Sequence, residues 1–507
     1  MLCRTYSAAC IGIEAITVTV EVDVSQGISF YLVGLPDNAV RESQQRISTA
    51  LMTIGTRIPG KKIVVNMAPA DLRKEGSAFD LPIAVGILAA SEQYLFPNLS
   101  KYIIMGELAL DGSLRPIPGA LPIAVHAKAE SFKGCIFPVE SAMEASEIEG
   151  VDIFAAHNLA DVISILLDDG IISPVKLNSN SMADKDIPIY GNDELLPDFA
   201  DVKGQEHAKR GLEIAAAGGH NLLMCGTPGS GKSLMAKAFA GILPPLERDE
   251  SIETSMIYSV SGRTLPFKGL IRTRPFRAPH HSSSAIAIAG GGSRAFPGEI
   301  SLAHNGVLFM DELPEFSRYL LELLRQPLED RVITLSRASY KVTYPCNFQL
   351  LASMNPCPCG FYGDPAGGCT CSPYMVSRYA AKVSGPLLDR IEMRLEVNAV
   401  PEERLLNNSL AESSCIIKKR VVAARAIQRR RFDGRSTTNS RMTPAEVKKH
   451  CLLGPSENRL LAAAISKLNL SARGYGKILK VARTIADLDG ATFISTAHLA
   501  EAIQYRG

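Results

Sequence analysis

Eight consecutive residues, Gly226, Thr227, Pro228, Gly229, Ser230, Gly231, Lys232 and Ser233, fit the pattern G-x-x-x-x-G-K-[S/T]. Chance alone gives that pattern in about 2% of chains this long. The context lowers the odds further: the apolar run 221–225 reads as a buried strand entering the first glycine, and 234–240 reads as the opening of a helix. In such a turn, glycines let backbone N–H groups close around phosphates at a helix N-terminus, a lysine offsets the β/γ charge, and a serine hydroxyl ligates Mg²⁺. These residues in this order predict binding of ATP or GTP with Mg²⁺.

A second apolar run, 307–310, delivers Asp311 and Glu312 at its C-terminal end, the edge at which parallel sheets bind ligands. Asp311 is expected to hold Mg²⁺, directly or through water, and Glu312 to orient and deprotonate the attacking water. An Asp-Glu pair alone would serve equally well at a helix N-terminus. Beside a phosphate loop it reads as the second half of a hydrolytic site.

Four of the eleven cysteines crowd into fifteen residues: Cys357, Cys359, Cys369 and Cys371, with Gly363, Gly367 and Gly368 between the two pairs. Four thiolates close a tetrahedral Zn²⁺ site, but zinc pairs usually have two to four intervening residues and each pair here has one. Two readings stay open, structural zinc and redox-active or free thiols. The remaining cysteines are scattered, which fits free thiols in a reducing compartment better than a disulfide scaffold.

These residues must be positioned by elements that the rest of the chain supplies. At 507 residues the chain suits two or three domains. Residues 1–172 alternate strand-like and helix-like segments, with period two along 16–22 and Val40, Ile47, Leu51 and Ile54 on one helical face. From 173 to 197 the composition turns to Pro, Asn, Ser and Asp, as in a linker. Residues 198–400 carry buried-strand runs at 221–225, 306–310 and 348–353, predicting a parallel sheet with helices on both faces. From 401 to 507 helices take over: Thr443, Pro444 and Glu446 form a capping box, and Ile478, Leu479, Ala482, Ile485 and Ala486 an apolar stripe.

Fifty-four basic against 52 acidic side chains leave a charge of +2, so net charge selects no partner. The N-terminus carries Glu14, Glu21 and Asp23 and lacks the pattern of a secretory signal. The apolar run 81–90 is interrupted by Pro82 and Gly86 and is about half the length needed to span a bilayer. A cytoplasmic protein with no membrane segment is expected. Two local patches are basic. Lys418, Lys419, Arg420, Arg425, Arg429, Arg430, Arg431 and Arg435 face one acid, Asp433, within 415–435; such a run neutralises phosphates or forms a solvated helix face. The stretch 331–343 reads as a β-hairpin with Arg337 and Lys341 near its tip.

Further runs carry a resemblance: Gly204-Gln205-Glu206-His207-Ala208-Lys209-Arg210, Ala215-Ala216-Ala217-Gly218-Gly219-His220-Asn221, Arg274-Pro275-Phe276-Arg277-Ala278-Pro279-His280-His281, and 296–304. They resemble the magnesium-chelatase-like AAA+ family, and within it the YifB/ComM group, over essentially the whole chain. The resemblance implies an N-terminal domain of Lon-protease-like fold, a central AAA+ ATPase with a P-loop parallel sheet, and a C-terminal helical lid. It implies Asn355 as the polar sensor of the γ-phosphate, Arg390 as the arginine finger that reaches a neighbouring subunit's ATP, and Arg473 as the second sensor on the lid. A ring, a hexamer, follows. Hairpins placed like 331–343 point into the pore of related ring motors, and ComM-type proteins are implicated as DNA helicases driving branch migration during DNA uptake and recombination. The segment 73–78 looks like the one that bears the Lon serine, here Ser77, but Pro122 stands where the activating lysine would fall, so no protease is expected. Chelatase-like remodelling of a protein substrate is the alternative function.

Overall fold

The valines at 18, 20, 22 and 24 alternate with polar residues and are all buried, which commits this stretch to a strand with one face on a core. In the computed structural model, which describes residues 1–74, 76–167, 172–175, 196–262, 269–292, 295–336, 341–364, 367–400, 411–468 and 471–506, it is the second strand of a mixed seven-stranded sheet. β1 (Leu2–Ile11) and β2 (Glu14–Ser25) pair antiparallel about a turn at Gly12, and β3 (Ser29–Val33), β4 (Lys62–Ala68), β5 (Tyr102–Ile104), β8 (Gly134–Pro138) and β9 (Asp152–Ala156) complete the order β3-β4-β2-β1-β5-β8-β9. The two-residue strands β6 (Glu107–Leu108) and β7 (Leu114–Arg115) pair beside it. The apolar run 81–90 is a helix, Asp80–Ala90, buried along almost its whole length. A Cβ at Gly86 would stand 2.6 Å from Cγ2 of Val22, so the glycine is what lets this helix settle onto β2. The proposed linker 173–197 lies mostly outside the described residues.

The second sheet is wholly parallel. β10 (Leu222–Gly226), β11 (Phe276–Arg277), β14 (Val307–Met310), β17 (Gln349–Met354) and β18 (Met393–Val397) run in the order β11-β14-β17-β10-β18. Alternation splits its side chains between two cores. Leu222, Met224, Phe309, Leu351 and Leu395 face one cluster; Leu223, Leu308, Met310, Leu350 and Ala352 face the other. On the first face pack the helices Glu206–Gly218 and Lys232–Gly241 and the C-terminal helices Ser414–Arg431, Ala472–Leu488 and Thr496–Gln504. The stripe Ile478, Leu479, Ala482, Ile485 and Ala486 is buried there, and Thr443 caps its helix with Glu446 in a capping box. The other face is covered by short helices and by the hairpin β15 (Val332–Ser336) with β16 (Lys341–Pro345), whose Ile333, Val342 and Tyr344 point inward. The two-residue strands β12 (Gly290–Gly291) and β13 (Phe296–Pro297) pair nearby.

The two sheets are joined through the helix Arg248–Val260 and its neighbours. Gly119 N–H donates to the Ser259 carbonyl at 3.1 Å, and Arg272 pairs with Glu147 at 2.6 Å. The Gly12 turn of β1 and β2 abuts Val342 of the hairpin.

The basic run is largely engaged in ion pairs and carbonyl contacts. In the helix Ser414–Arg431 and just beyond it, Arg420 pairs with Glu213 and Glu412, Arg429 with Glu247, Arg431 with Asp487 and Arg435 with Glu446, while Arg425 donates to the Ala216 carbonyl. Most of these cations therefore fasten the lid to the core and to itself. Lys419 and Arg430 stay exposed.

Candidate functional site

β10 ends where its backbone must turn sharply. Gly229 and Gly231 adopt φ of +77 and +89, a region closed to most L-residues, and Gly231 caps the helix Lys232–Gly241. The turn is thereby fixed around the N-terminus of a helix, with its backbone N–H groups and the positive end of the dipole directed at one spot. The Lys232 ammonium folds over the loop, donating to the carbonyls of Gly226 at 2.7 Å and Thr227 at 2.8 Å, and to Oδ1 of Asn355 at 3.2 Å. Burial is the largest influence on Lys232 and holds it below the usual lysine range, with Cys225, Asp311 and Glu312 pulling the other way.

Sheet order brings the remaining groups in. β14 is separated from β10 by β17 alone, so the C-terminal ends of these strands lie about 10 Å apart. β17 between them ends one residue before Asn355. Across this gap the Ser233 hydroxyl donates to Oδ2 of Asp311 at 2.7 Å. Ser353, on β17, donates its hydroxyl to the other carboxylate oxygen of Asp311; sequence reasoning had missed it, since a serine inside a buried strand carries no local signature. Glu312 has φ of +53, a left-handed conformation that costs a non-glycine residue on the order of 1 kcal/mol. Its amide N–H faces Oδ1 of Asp311 at 3.1 Å and Oγ of Ser353 at 3.3 Å, which offsets part of that cost.

Beside the loop opens a cavity of about 930 Å³ lined by Gln205, His207, Cys225, Asn398 and the end of β18. Gln205, itself at φ +60, ties this wall to the loop by donating to the carbonyls of Ser230 at 3.3 Å and Asn398 at 2.6 Å. His207 stacks on Tyr505, ring centroids 5.2 Å apart.

Arg390 and Arg473 lie elsewhere, and together. Met393 pairs with Leu222 and Val397 with Gly226, so Arg390, three residues before Met393, sits at the N-terminal edge of the sheet, at least ~16 Å of strand away from the phosphate loop. Its carbonyl accepts from Asn221 Nδ2 at 3.0 Å, and its guanidinium pairs with Glu329 and donates to the Pro386 carbonyl at 2.8 Å. It lines a cavity of about 840 Å³ with Arg473, Arg331, Arg441, Lys477 and Lys480 against Glu329, Asp389 and Glu392. Burial lowers Lys477 to about 8 and raises Glu392. This is a cationic hollow on the opposite edge from the loop.

The four cysteines converge. The Sγ atoms of Cys357, Cys359, Cys369 and Cys371 lie within 4.8 Å of one another. Backbone N–H groups of Phe361 and Thr370 lower Cys359 to about 6. The sulfurs are compatible with a zinc ion. Lys341 is exposed, opposite Ser336 in the hairpin; Arg337 lies outside the described residues. In the N-terminal domain the Ser77 hydroxyl donates to the Glu107 carboxylate, and Pro122 lies buried in the helix Ala120–Ala129.

A parallel sheet with a phosphate loop, an acid pair one strand away and a helical domain covering one face defines a P-loop nucleoside triphosphatase of the AAA+ class. Family profiles agree along the chain: "Magnesium chelatase, subunit ChlI" matches residues 198–405, "Subunit ChlI of Mg-chelatase" 20–141, and "Magnesium chelatase, subunit ChlI C-terminal" 411–506. The chain is 44% identical over 507 residues to the uncharacterized protein YifB of Salmonella typhimurium, covering 100% of this chain and 97% of that one. It is 43% identical over 507 residues to the competence protein ComM of Haemophilus influenzae, with the same coverage of 100% and 97%. A magnesium-chelatase 38 kDa subunit of Rhodobacter capsulatus is 23% identical over 320 residues, 59% of this chain and 84% of that subunit. The chain belongs to the YifB/ComM group of the magnesium-chelatase family. Membership supports ATPase activity and assembly into oligomers, and among the described residues no helix is long and apolar enough to cross a membrane.

Proposed function

We propose that this chain is an ATP-hydrolysing ring motor, a cytoplasmic hexamer, that acts on DNA as a helicase or branch-migration factor in DNA uptake and recombination. The observation that carries the hydrolytic part is the convergence of Lys232, Ser233, Asp311 and Asn355 at one sheet edge while Arg390 and Arg473 occupy the other. A guanidinium on the far edge of a chain's own sheet serves only a neighbour's phosphates, so the reading requires a ring in which each site is completed by the next copy.

The oxygens of Ser233 and Asp311, 2.7 Å apart, form the hydroxyl and carboxylate set that suits Mg²⁺. When bound there, Mg²⁺ neutralises charge on the β- and γ-phosphates. Residues 226–233 hold the phosphates on backbone N–H groups, and the cavity bounded by Gln205 and His207 takes the base. Lys232 offsets phosphate charge, Asn355 fixes the γ-phosphate and the attacking water, and Glu312 takes the water's proton. Arg390 and Arg473 of the adjoining copy stabilise the charge that develops on the transferred group. The four-cysteine loop we read as a structural Zn²⁺ site.

DNA as substrate draws on the printed name of the 43% identical competence protein ComM and on exposed Lys341 in the hairpin, with Arg337 assigned the same contact. The Ser77–Glu107 pair, with no lysine at 122, supports a non-proteolytic N-terminal domain. Remodelling of a protein substrate is favoured instead only by the distant likeness to chelatase subunits. The test is ATPase rate with single-stranded, duplex and branched DNA, followed by branch migration on the most stimulating substrate. Stimulation by DNA is expected; a rate indifferent to all three moves the assignment to a protein substrate.

A further inference from the structure

Gly360 follows the first cysteine pair at φ +91. A Cβ at this position would stand 2.5 Å from both Cγ and Cδ of Pro228, so the cysteine loop rests directly on the phosphate loop, with no room for a methyl group between them. The other end of the contact is equally fixed, since Cys357 is fully buried and follows Asn355 by two residues. Between Cys359 and Cys369 the chain is glycine-rich and the described residues include no helix or strand, so little in its own backbone would hold it against Pro228.

The sulfurs supply the missing constraint. Cys357 and Cys359 are 3.2 Å apart, Cys357 and Cys369 3.9 Å, and Cys359 and Cys369 3.7 Å. Tetrahedral zinc with Zn–S of ~2.3 Å has sulfur edges of ~3.8 Å, whereas a disulfide would bring one pair to ~2.05 Å. With Cys371 within 4.8 Å of the other three, the four sulfurs surround one point, as a single ion requires, and none of the three separations is at disulfide distance.

We propose that a soft divalent cation of the Zn²⁺ class, held by Cys357, Cys359, Cys369 and Cys371, braces the phosphate loop through the Gly360–Pro228 contact and thereby sets the affinity for nucleotide. The ion takes no part in hydrolysis; it closes the loop that presses on Pro228 and anchors the segment leading from Asn355. The nucleotide part rests on the ATPase reading above, while the metal site rests on the sulfurs alone.

The experiment uses the full chain purified without chelator, with zinc counted by mass spectrometry and affinity measured with a fluorescent ATP analogue in excess Mg²⁺. About one zinc per chain is expected. Stripping it with a zinc-selective chelator should weaken nucleotide binding about tenfold, and added Zn²⁺ should restore it. Gly360→Ala should keep its zinc yet bind nucleotide about tenfold more weakly. Gly363→Ala is the control, being at φ +79 with no atom within 4 Å of a Cβ, and should keep both properties. A zinc content far below one per chain overturns the metal site. Zinc present with affinity unchanged on stripping, or equal affinities for Gly360→Ala and Gly363→Ala, overturns the brace and leaves the ATPase reading standing. Absence of nucleotide binding by the zinc-loaded chain overturns both.

Discussion

The Ser233 hydroxyl donates to Oδ2 of Asp311 at 2.7 Å, joining the phosphate loop to the end of β14 across the strand that separates them. Ser353 holds the second oxygen of the same carboxylate, so Asp311 is oriented from both sides, and Glu312 beside it is left for a different task.

That division predicts two different defects. Asp311→Asn should weaken ATP binding in Mg²⁺ and raise the Mg²⁺ needed for turnover. Glu312→Gln should bind ATP normally and lose turnover by ~10²-fold or more, the contribution of a general base. Binding isotherms and steady-state ATPase rates on the same preparations separate the two. Wild-type turnover in Glu312→Gln would remove the base assignment.

The edge-to-edge separation of Arg390 from the loop predicts complementation between chains. Arg390→Ala should assemble normally and lose ATPase activity by at least ~10²-fold; Lys232→Ala should be inactive as well. Mixed in equal amounts and allowed to exchange, the two variants form interfaces in which one chain supplies an intact loop and the next an intact arginine. In a random ring about a quarter of the interfaces are of this kind, and activity should return toward that fraction. No recovery in rings shown to be mixed would refute action between chains.

In the basic helix, stability and surface charge should come apart. Arg431 donates to Asp487 at 2.7 Å, and the Asp487 side chain is wholly buried. Arg431→Ala leaves that carboxylate with Arg483 and Asn439 but without its outer partner, and should cost about 3 kcal/mol. Lys419→Ala and Arg430→Ala, at exposed positions, should change stability by less than about 0.5 kcal/mol. Calorimetry of the three variants checks the contrast; equal melting temperatures would mean that the ion pair does not fasten the lid.

His220 predicts how acid loosens the lid. Its ring is fully buried, with Nε2 at 2.8 Å from the Thr484 hydroxyl. Burial, with Lys480 and Arg425 nearby, lowers its pKa from 6.5 to about 3. The folded state therefore binds fewer protons than the unfolded one between these values. The contribution of His220 to stability is fully present above pH 6.5 and is lost as the pH drops toward 3, by up to ~1.4 kcal/mol per pH unit. His220→Gln should show a shallower decline in melting temperature over that window, whatever its stability at neutral pH. Parallel curves for variant and wild type would show that His220 does not contribute.

What was legible in the chain itself was whatever depends on neighbours along it. A strand, a turn with glycines at positive φ, a helix start and a lysine are contiguous from 222 to 241, so local backbone geometry determines the phosphate loop. The same holds for Asp311 and Glu312 at the end of an apolar strand, for the Thr443 cap, and for the apolar stripe from Ile478 to Ala486, where period and capping chemistry act within a few residues. Tertiary structure decided the rest. That Asn355 reaches Lys232 depends on β17 lying between β10 and β14, and that Arg390 is barred from its own chain's loop depends on the register of β18 against β10. The basic run left two readings open, a surface for phosphates or a solvated helix face, and its ion pairs could not be read from it because their counter-charges, Glu213, Glu247 and Asp487, are distant in sequence, and an ion pair exists only once folding brings both partners together. Whether the four cysteines come together at all was likewise undecidable from spacing, because it depends on how a glycine-rich loop folds back onto Pro228; folding brings their sulfurs within 4.8 Å of one another.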